Sequence, residues 1–205
     1  MKFFMTPGSC STGIHILLEE LELTFEVHIV NLLAGDQNAP DYLAMNPKAS
    51  IPVLVRDDGS ALTEFQAIAY WLARSYPKAQ LLPGQVDADS RAIELMDYVV
   101  GTIHGQGFAR IFTTDKFTPN PDDYAAIKAA GRNLVEKGFT ILNQNLPAQG
   151  YALGEFSIAD AALFYIEFWA DKTAIALPDN CRRHYQLMLS RPVVRRVLME
   201  EGYRI

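Results

Sequence analysis

Thr6-Pro7-Gly8-Ser9-Cys10-Ser11 follows a short apolar run, Phe3-Phe4-Met5, and leads straight into a helical pattern. There Ile14, Leu17, Leu18 and Leu21 recur at i, i+3, i+4 and i+7. A cysteine on such a strand-to-helix turn meets unpaired backbone N–H groups and the positive end of the helix dipole, and both favour an anion. The position therefore predicts a thiol biased toward thiolate, the reactive form. The competing reading is a small buried cysteine at a turn.

A second stretch, Ile51-Pro52-Val53-Leu54-Val55, decides between them. Proline has no backbone N–H, so it belongs at the start of a strand, and X–Pro bonds are where cis peptides occur. Asp57-Asp58-Gly59 then turns the chain into Ala61-Leu62-Thr63, a hairpin with a loop longer than two residues. Phe25 to Val30 reads as a strand, with Phe25, Val27 and Ile29 alternating against Glu26 and His28. A helix follows the hairpin, with Phe65, Ile68, Ala69 and Leu72 on one face. The resulting β-α-β-α-β-β-α order is that of a thioredoxin-like domain, with a cysteine after the first strand and a cis-proline before the third. A thioredoxin-like redox enzyme carries a second cysteine three residues on, but that position is Gly13, and the other cysteine, Cys181, is remote. Cys10 is a monothiol, suited to an external thiol rather than to its own disulfide.

Residues Tyr76 to Ala88, with Pro77, Pro83 and Gly84, read as a linker, and the pattern after them is helical. Ile93, Met96, Val100, Ile103 and Ile111 mark a long helix in which Asp97, Gly101, His104, Phe108 and Ile111 share one stripe. Gly101, Gly105 and Gly107 each weaken that helix by about 1 kcal/mol relative to alanine, which makes sense where something approaches its backbone closely. A second helix follows Pro119 to Asp123, with the stripe Ile127, Gly131, Leu134, Gly138 and Ile141. Ser157 and Asp160 have capping-box spacing, and shorter helices start at Asp179 and Pro192.

Composition narrows the function classes. A 205-residue chain, 49% apolar, can bury a substantial core in one or two domains. A net charge of −6 without long Lys/Arg runs argues against nucleic acid or acidic membranes as the main partner. No apolar run approaches the roughly 20 residues of a membrane span, and the N-terminus does not read as a cleavable signal. Two distant cysteines suit a reducing, cytoplasmic setting. No metal-ligand cluster is visible, so no metal is expected.

The chain resembles the cytosolic glutathione transferases, most closely the bacterial Beta class. The resemblance rests on Thr6 to Ser11, Asn46-Pro47-Lys48 leading into Ile51-Pro52-Val53-Leu54, and Leu62-Thr63-Glu64 entering Ala67 to Leu72. Ile103-His104, Ser157-Ile158-Ala159-Asp160 and Ser190-Arg191-Pro192 extend it over nearly the whole chain. It implies a thioredoxin-like α/β domain over 1–77, an all-α domain over 87–205, and a homodimer. It also implies glutathione as co-substrate, conjugated to small hydrophobic electrophiles or exchanged with mixed disulfides through Cys10, with a possible peroxidase side activity. Cys10 and His104 are the implied catalytic residues. Cys10, Ile51, Pro52, Glu64, Phe65, Asp97 and His104 are the implied glutathione contacts, and Phe108, Ile111, Phe112 and Trp169 line the electrophile site, expected in the cleft between the domains. The strand after Pro52 offers Ile51 N–H and C=O to the cysteinyl backbone, an edge pairing common in peptide recognition. Four positions depart from the family pattern: Phe65 replaces a hydroxyl residue, Asp97 an asparagine, Gly105 a lysine, and Ala34-Gly35 lacks the usual lysine. The alternative is a binding protein that keeps the fold without catalysis.

Overall fold

The computed structural model describes residues 1–204 and divides into two compact units. One is Met1–Gly84 together with the chain from Leu189 onward; the other is Gln85–Met188. The last helix, grouped with the helical domain by its sequence pattern, thus packs with the N-terminal unit.

The first unit holds a four-stranded sheet in the order β2-β1-β3-β4, built from β1 (Lys2–Met5), β2 (Glu26–Ile29), β3 (Val53–Val55) and β4 (Ala61–Thr63). β2 runs parallel to β1, whereas β3 is antiparallel to both β1 and β4. Registers Phe3↔Leu54 and Phe4↔Val53 alternate the two faces. One face carries Val53 with Val30 and Tyr42 of α2 (Pro40–Met45), and Phe4 packs against them. Phe3, Met5 and Leu54 are fully buried or nearly so. The alternation read in β2 does not describe its burial. Val27 and Ile29 are 43% and 58% exposed, and half-buried His28 stacks on Phe4 at 4.5 Å. β2 ends the sheet, so its apolar side is only partly covered.

Helix α1 (Ser11–Glu20) is more buried than its apolar stripe requires: every residue from Ser11 to Leu18 is inside. Two helices pack on it, α3 (Phe65–Ser75) and the C-terminal α9 (Pro192–Glu200). Burying Thr12 and His15 is tolerable only if their polar atoms are satisfied. Glu201, just past α9, does this by accepting from Thr12 Oγ1 at 2.7 Å and pairing with His15 Nδ1 at 2.9 Å. It also accepts from Gly8 N–H at 2.7 Å. Gly8 has φ +70°, and a Cβ there would lie 1.9 Å from the Tyr203 hydroxyl, so only glycine fits. Arg191–Glu20 (2.7 Å) and Arg196–Glu19 (2.6 Å) add two further ties between α9 and α1.

In the second unit, α4 (Val86–Asp97) runs on as a π-helix over Tyr98–Phe108 and then into α5 (Ala109–Phe112). A π-helix closes i→i+5 hydrogen bonds. The α-helical period assumed from sequence therefore mis-sorts this segment: Val99, Ile103, Gly107 and Phe108 are buried, while Gly101 is exposed and Val100 only half-buried. In α6 (Tyr124–Asn145) the buried face is Gly131, Val135, Gly138, Phe139 and Leu142. Ile127, Leu134 and Ile141 flank that face, half-buried. The glycines explain why. A Cβ on Gly131 would meet Gly107 O and Arg110 Cβ at 2.7 Å, and one on Gly138 would meet Ile103 Cγ1 at 2.6 Å. The backbone partner of Gly107 is α6 itself, with Val135 Cγ2 2.7 Å from where a Cβ would stand. Nothing comparable approaches Gly101.

Helix α7 (Ile158–Lys172) is buried from Ile158 through Ala170. Its start has the expected capping box: Asp160 accepts from Ser157 N–H at 2.8 Å, and Ser157 Oγ accepts from Ala159 N–H at 3.3 Å. Asp160 does more than cap. Its carboxylate also takes Ala152 N–H (2.7 Å) and His184 Nε2 (3.0 Å) of α8 (Asp179–Ser190), while His184 Nδ1 meets Glu167 at 2.8 Å. All three side chains are fully buried. Burial alone would pull the His184 imidazole down, but Glu167 and Asp160 outweigh it and hold its pKa up to about 9. Burial pushes the Glu167 carboxyl up to about 7. Beyond β4 the described residues form no further strand, only isolated bridges at Tyr151–Gly154 and Leu153–Glu155. No helix among them is long and apolar enough to cross a membrane.

Two predictions follow from this packing. Gly131→Ala adds helix propensity but forces a backbone clash, and urea titration is expected to show a net loss of about 1–3 kcal/mol. A raised histidine pKa contributes stability that is fully present below the unfolded value near 6.5 and is lost as pH rises through about 9. Unfolding free energy should therefore fall between pH 6.5 and 9 in the parent and much less in His184→Gln; parallel curves for the two proteins would refute the assignment.

Candidate functional site

Cys10 caps α1 and is 7% exposed. Its Sγ lies 3.8 Å from Ile51 O, in the cis Ile51-Pro52 peptide that precedes β3. The fold thus brings together the thiol and the Ile51 carbonyl, which are 41 residues apart; β3 itself is not the open edge expected from sequence but lies between β1 and β4, and Ile51 stands just ahead of its ladder. The expected thiolate bias is not what results. Burial pushes the Cys10 thiol up to about 12; the N–H groups of Cys10 and Ser11 act in the expected downward direction but lose, and the Glu64 charge adds to the rise. Desolvation of a charge in a closed site outweighs two helix-start amides. Ser9 and Ser11 both donate to Thr6 O, at 2.6 and 3.0 Å, and their hydroxyls sit 2.5 Å apart, so both are committed to the turn.

Glu64 stands at the turn into α3 with φ +75°, a strained conformation for a residue with a Cβ. Such strain costs on the order of 1–3 kcal/mol and clusters at functional positions. Its carboxylate pairs with Lys48 Nζ at 2.5 Å, and the same ammonium donates to Thr63 Oγ1 at 2.6 Å. Both side chains are about half exposed, 48% for Lys48 and 57% for Glu64. Phe65 is buried, so its side chain joins the core of the unit.

In the helical unit His104 is half-buried at the middle of the π segment. Its Nδ1 is 3.2 Å from Tyr165 OH, and its ring meets Trp169 at 4.8 Å between centroids. Burial pulls the imidazole down to about 4. Near neutral pH His104 is therefore uncharged. Phe108 and Phe112 stack at 5.6 Å, and each meets Trp169 edge-on, at 5.3 and 5.2 Å. Phe108 is fully buried and Phe112 is 50% exposed, so the cluster runs from core to surface. Ile111 points elsewhere, with Cγ1 3.2 Å from where a Gly131 Cβ would stand. Asp97 ends α4 and is exposed.

Three contributors escaped the sequence reading. Lys48 lay in a quoted stretch, but nothing in the spacing ties it to Glu64. Tyr165 lies four residues before Trp169 on α7, an i, i+4 relation that could have been noticed. Glu201 is 193 residues from Gly8, beyond any local signal. The fold also gathers His15, Glu19 and Glu200, a ligand-bearing group where no cluster was read.

Two family profiles match this chain: "Glutathione S-transferase, N-terminal domain" over residues 8–75 and "Glutathione S-transferase, C-terminal domain" over residues 125–187. The Escherichia coli O157:H7 glutathione S-transferase GstA is 36% identical over 210 aligned residues, covering 100% of both chains. A glutathione transferase homologue from Sulfitobacter, solved with bound glutathione, superposes with a TM-score of 0.90 at 26% identity over 98% of each chain. A beta class glutathione S-transferase from Sphingomonas chungbukensis does so with a TM-score of 0.81 at 29% identity, over 98% of this chain and 99% of its own. With a thioredoxin-like unit bearing Cys10 beside a cis-proline and a helical unit bearing an aromatic cluster, the chain belongs to the glutathione S-transferase family.

Proposed function

We infer that this glutathione transferase conjugates glutathione to small hydrophobic electrophiles, with exchange through Cys10 as a minor activity. The observation that carries the reading is the convergence of Cys10 Sγ on the Ile51 carbonyl, 3.8 Å apart, in the segment just before β3 and outside its ladder, where an extended tripeptide can pair. Glutathione would lie on the 1–77 domain, its cysteinyl backbone on Ile51 beside Pro52 and its γ-glutamyl end on Glu64 and the Phe65 backbone. Residues 87–205 would add Asp97 and His104 to the glutathione site, and Phe108, Phe112 and Trp169, with Ile111 behind them, to the electrophile site. Glutathione enters as co-substrate and supplies the nucleophile. Its sulfur bonds to the electrophilic carbon as the leaving group departs with the bonding electrons, and the thiol proton passes to solvent.

A Cys10 thiol pushed up to about 12 stays protonated at neutral pH and serves as an S–H donor to the glutathione thiolate. Attack on a disulfide needs the Cys10 thiolate instead, which is why exchange is the lesser activity. His104, uncharged with its pKa near 4, acts as a hydrogen-bonding group oriented by Tyr165 rather than as a cation. The non-catalytic alternative is disfavoured because Cys10, Pro52, Glu64 and His104 are all retained. A homodimer in the cytoplasm is the setting proposed from the family.

Kinetics with a chloronitroaromatic substrate, together with intact-mass analysis after glutathione disulfide, test the roles. Loss of one donor to a charged sulfur is worth about 1.5–3 kcal/mol, so His104→Ala should lower kcat roughly 10- to 100-fold with little change in glutathione binding. Cys10→Ala should lose all exchange and adduct formation while keeping measurable conjugation; full exchange activity in that variant would sink the role given to Cys10. Sedimentation at micromolar concentration should show twice the 22.9 kDa chain mass, and a single species at that mass would exclude the dimer.

A further inference from the structure

His15 is a buried histidine with a carboxylate facing each ring nitrogen. It is 4% exposed, and its Nδ1 lies 2.9 Å from Glu201 Oε1. Glu201 already accepts from Gly8 N–H and Thr12 Oγ1, so the imidazole is the donor in this pair and carries its proton on Nδ1. Nε2, the other ring nitrogen, faces Glu200, whose Oε2 lies at 3.5 Å, beyond ordinary hydrogen-bond length, and is itself an acceptor. Glu19, one helical turn after His15 on α1, completes the group, and one ligand atom from each of the three lies within 4.8 Å of the others.

Two carboxylates converging on one imidazole nitrogen call for a cation there, either a proton on Nε2 or a metal ion in its place. A histidine whose other nitrogen is fixed by a carboxylate is the usual arrangement around a bound metal. We propose that His15 Nε2, Glu19 and Glu200 form a zinc site in the N-terminal unit, with Glu201 as the carboxylate that orients His15. One nitrogen and two carboxylate oxygens suit Zn²⁺ at about 2.0–2.2 Å, with ligand atoms about 3.3 Å apart in a tetrahedron. Closing from 4.8 Å requires the carboxylates to swing inward. They have that freedom at 22% and 48% exposure for Glu19 and Glu200. Glu19 offers the oxygen not used by Arg196, which is held on Oε2. The fourth position opens on a cleft of about 370 Å³ bordered by Leu23, Phe25, Val27 and Ile29, where water completes the shell. The ion would tie the end of α9 to α1, and through Glu201 would stiffen the Gly8–Thr12 turn that carries Cys10.

The test is calorimetric titration of the untagged parent chain with ZnCl₂, paired with thermal melts. The expected result is one zinc per chain and a rise in Tm of about 2–4 °C or more at saturation. Glu200→Gln and Glu19→Gln should each weaken zinc binding at least tenfold and remove the Tm rise while the metal-free Tm stays near that of the parent. His15→Ala risks misfolding because it unpairs Glu201, so the two surface variants carry the test. No binding at 100 µM zinc, or binding undiminished in both glutamine variants, would overturn the proposal.

Discussion

One carboxylate, that of Glu201, makes the N-terminal unit possible in its observed form. Helix α1 is enclosed on all sides through Leu18, and enclosing Thr12 and His15 would ordinarily be penalised by several kcal/mol of desolvation. Glu201 accepts from both side chains and from the Gly8 amide. It thereby fixes the turn that presents Cys10. The sheet supplies the platform, but the position of the thiol depends on a residue at the far end of the chain.

The helical unit is organised by a comparable device in its core. Asp160 begins as a helix cap and ends as the acceptor for two backbone amides, a hydroxyl and an imidazole. A buried charge of this kind persists because its partners are complete. Around it, α6 and the π segment approach through glycines, which brings Ile103 and Val135 into the contact. His104 and Phe108 are left to pack their rings on Trp169.

The sequence was legible where a local rule and a tertiary need coincide. The β-α-β-α-β-β-α order, the Phe65-Ile68-Ala69-Leu72 face and the Ser157–Asp160 box all appear as read, because periodicity and capping are short-range signals. The Val27–Ile29 alternation failed because a strand at the end of a sheet is only partly covered. The stripe through Asp97 and Gly101 failed because the helix changes its period at Tyr98. At the site, the meeting of Cys10 with the Ile51-Pro52 peptide was easier to anticipate than its electrostatics. The helix-start amides beside Cys10 are real, but only the folded structure reveals that burial outweighs them.

That outcome bears on how the chain meets oxidants. Peroxide and other oxidising agents react with the thiolate, and the ladder from sulfenic to sulfonic acid begins there. Cys10 and Cys181 are both free, both buried, and both pushed up to about 12 chiefly by burial. The resting protein therefore carries almost no standing nucleophile. It should keep its thiols through aerobic handling that would oxidise an exposed low-pKa cysteine.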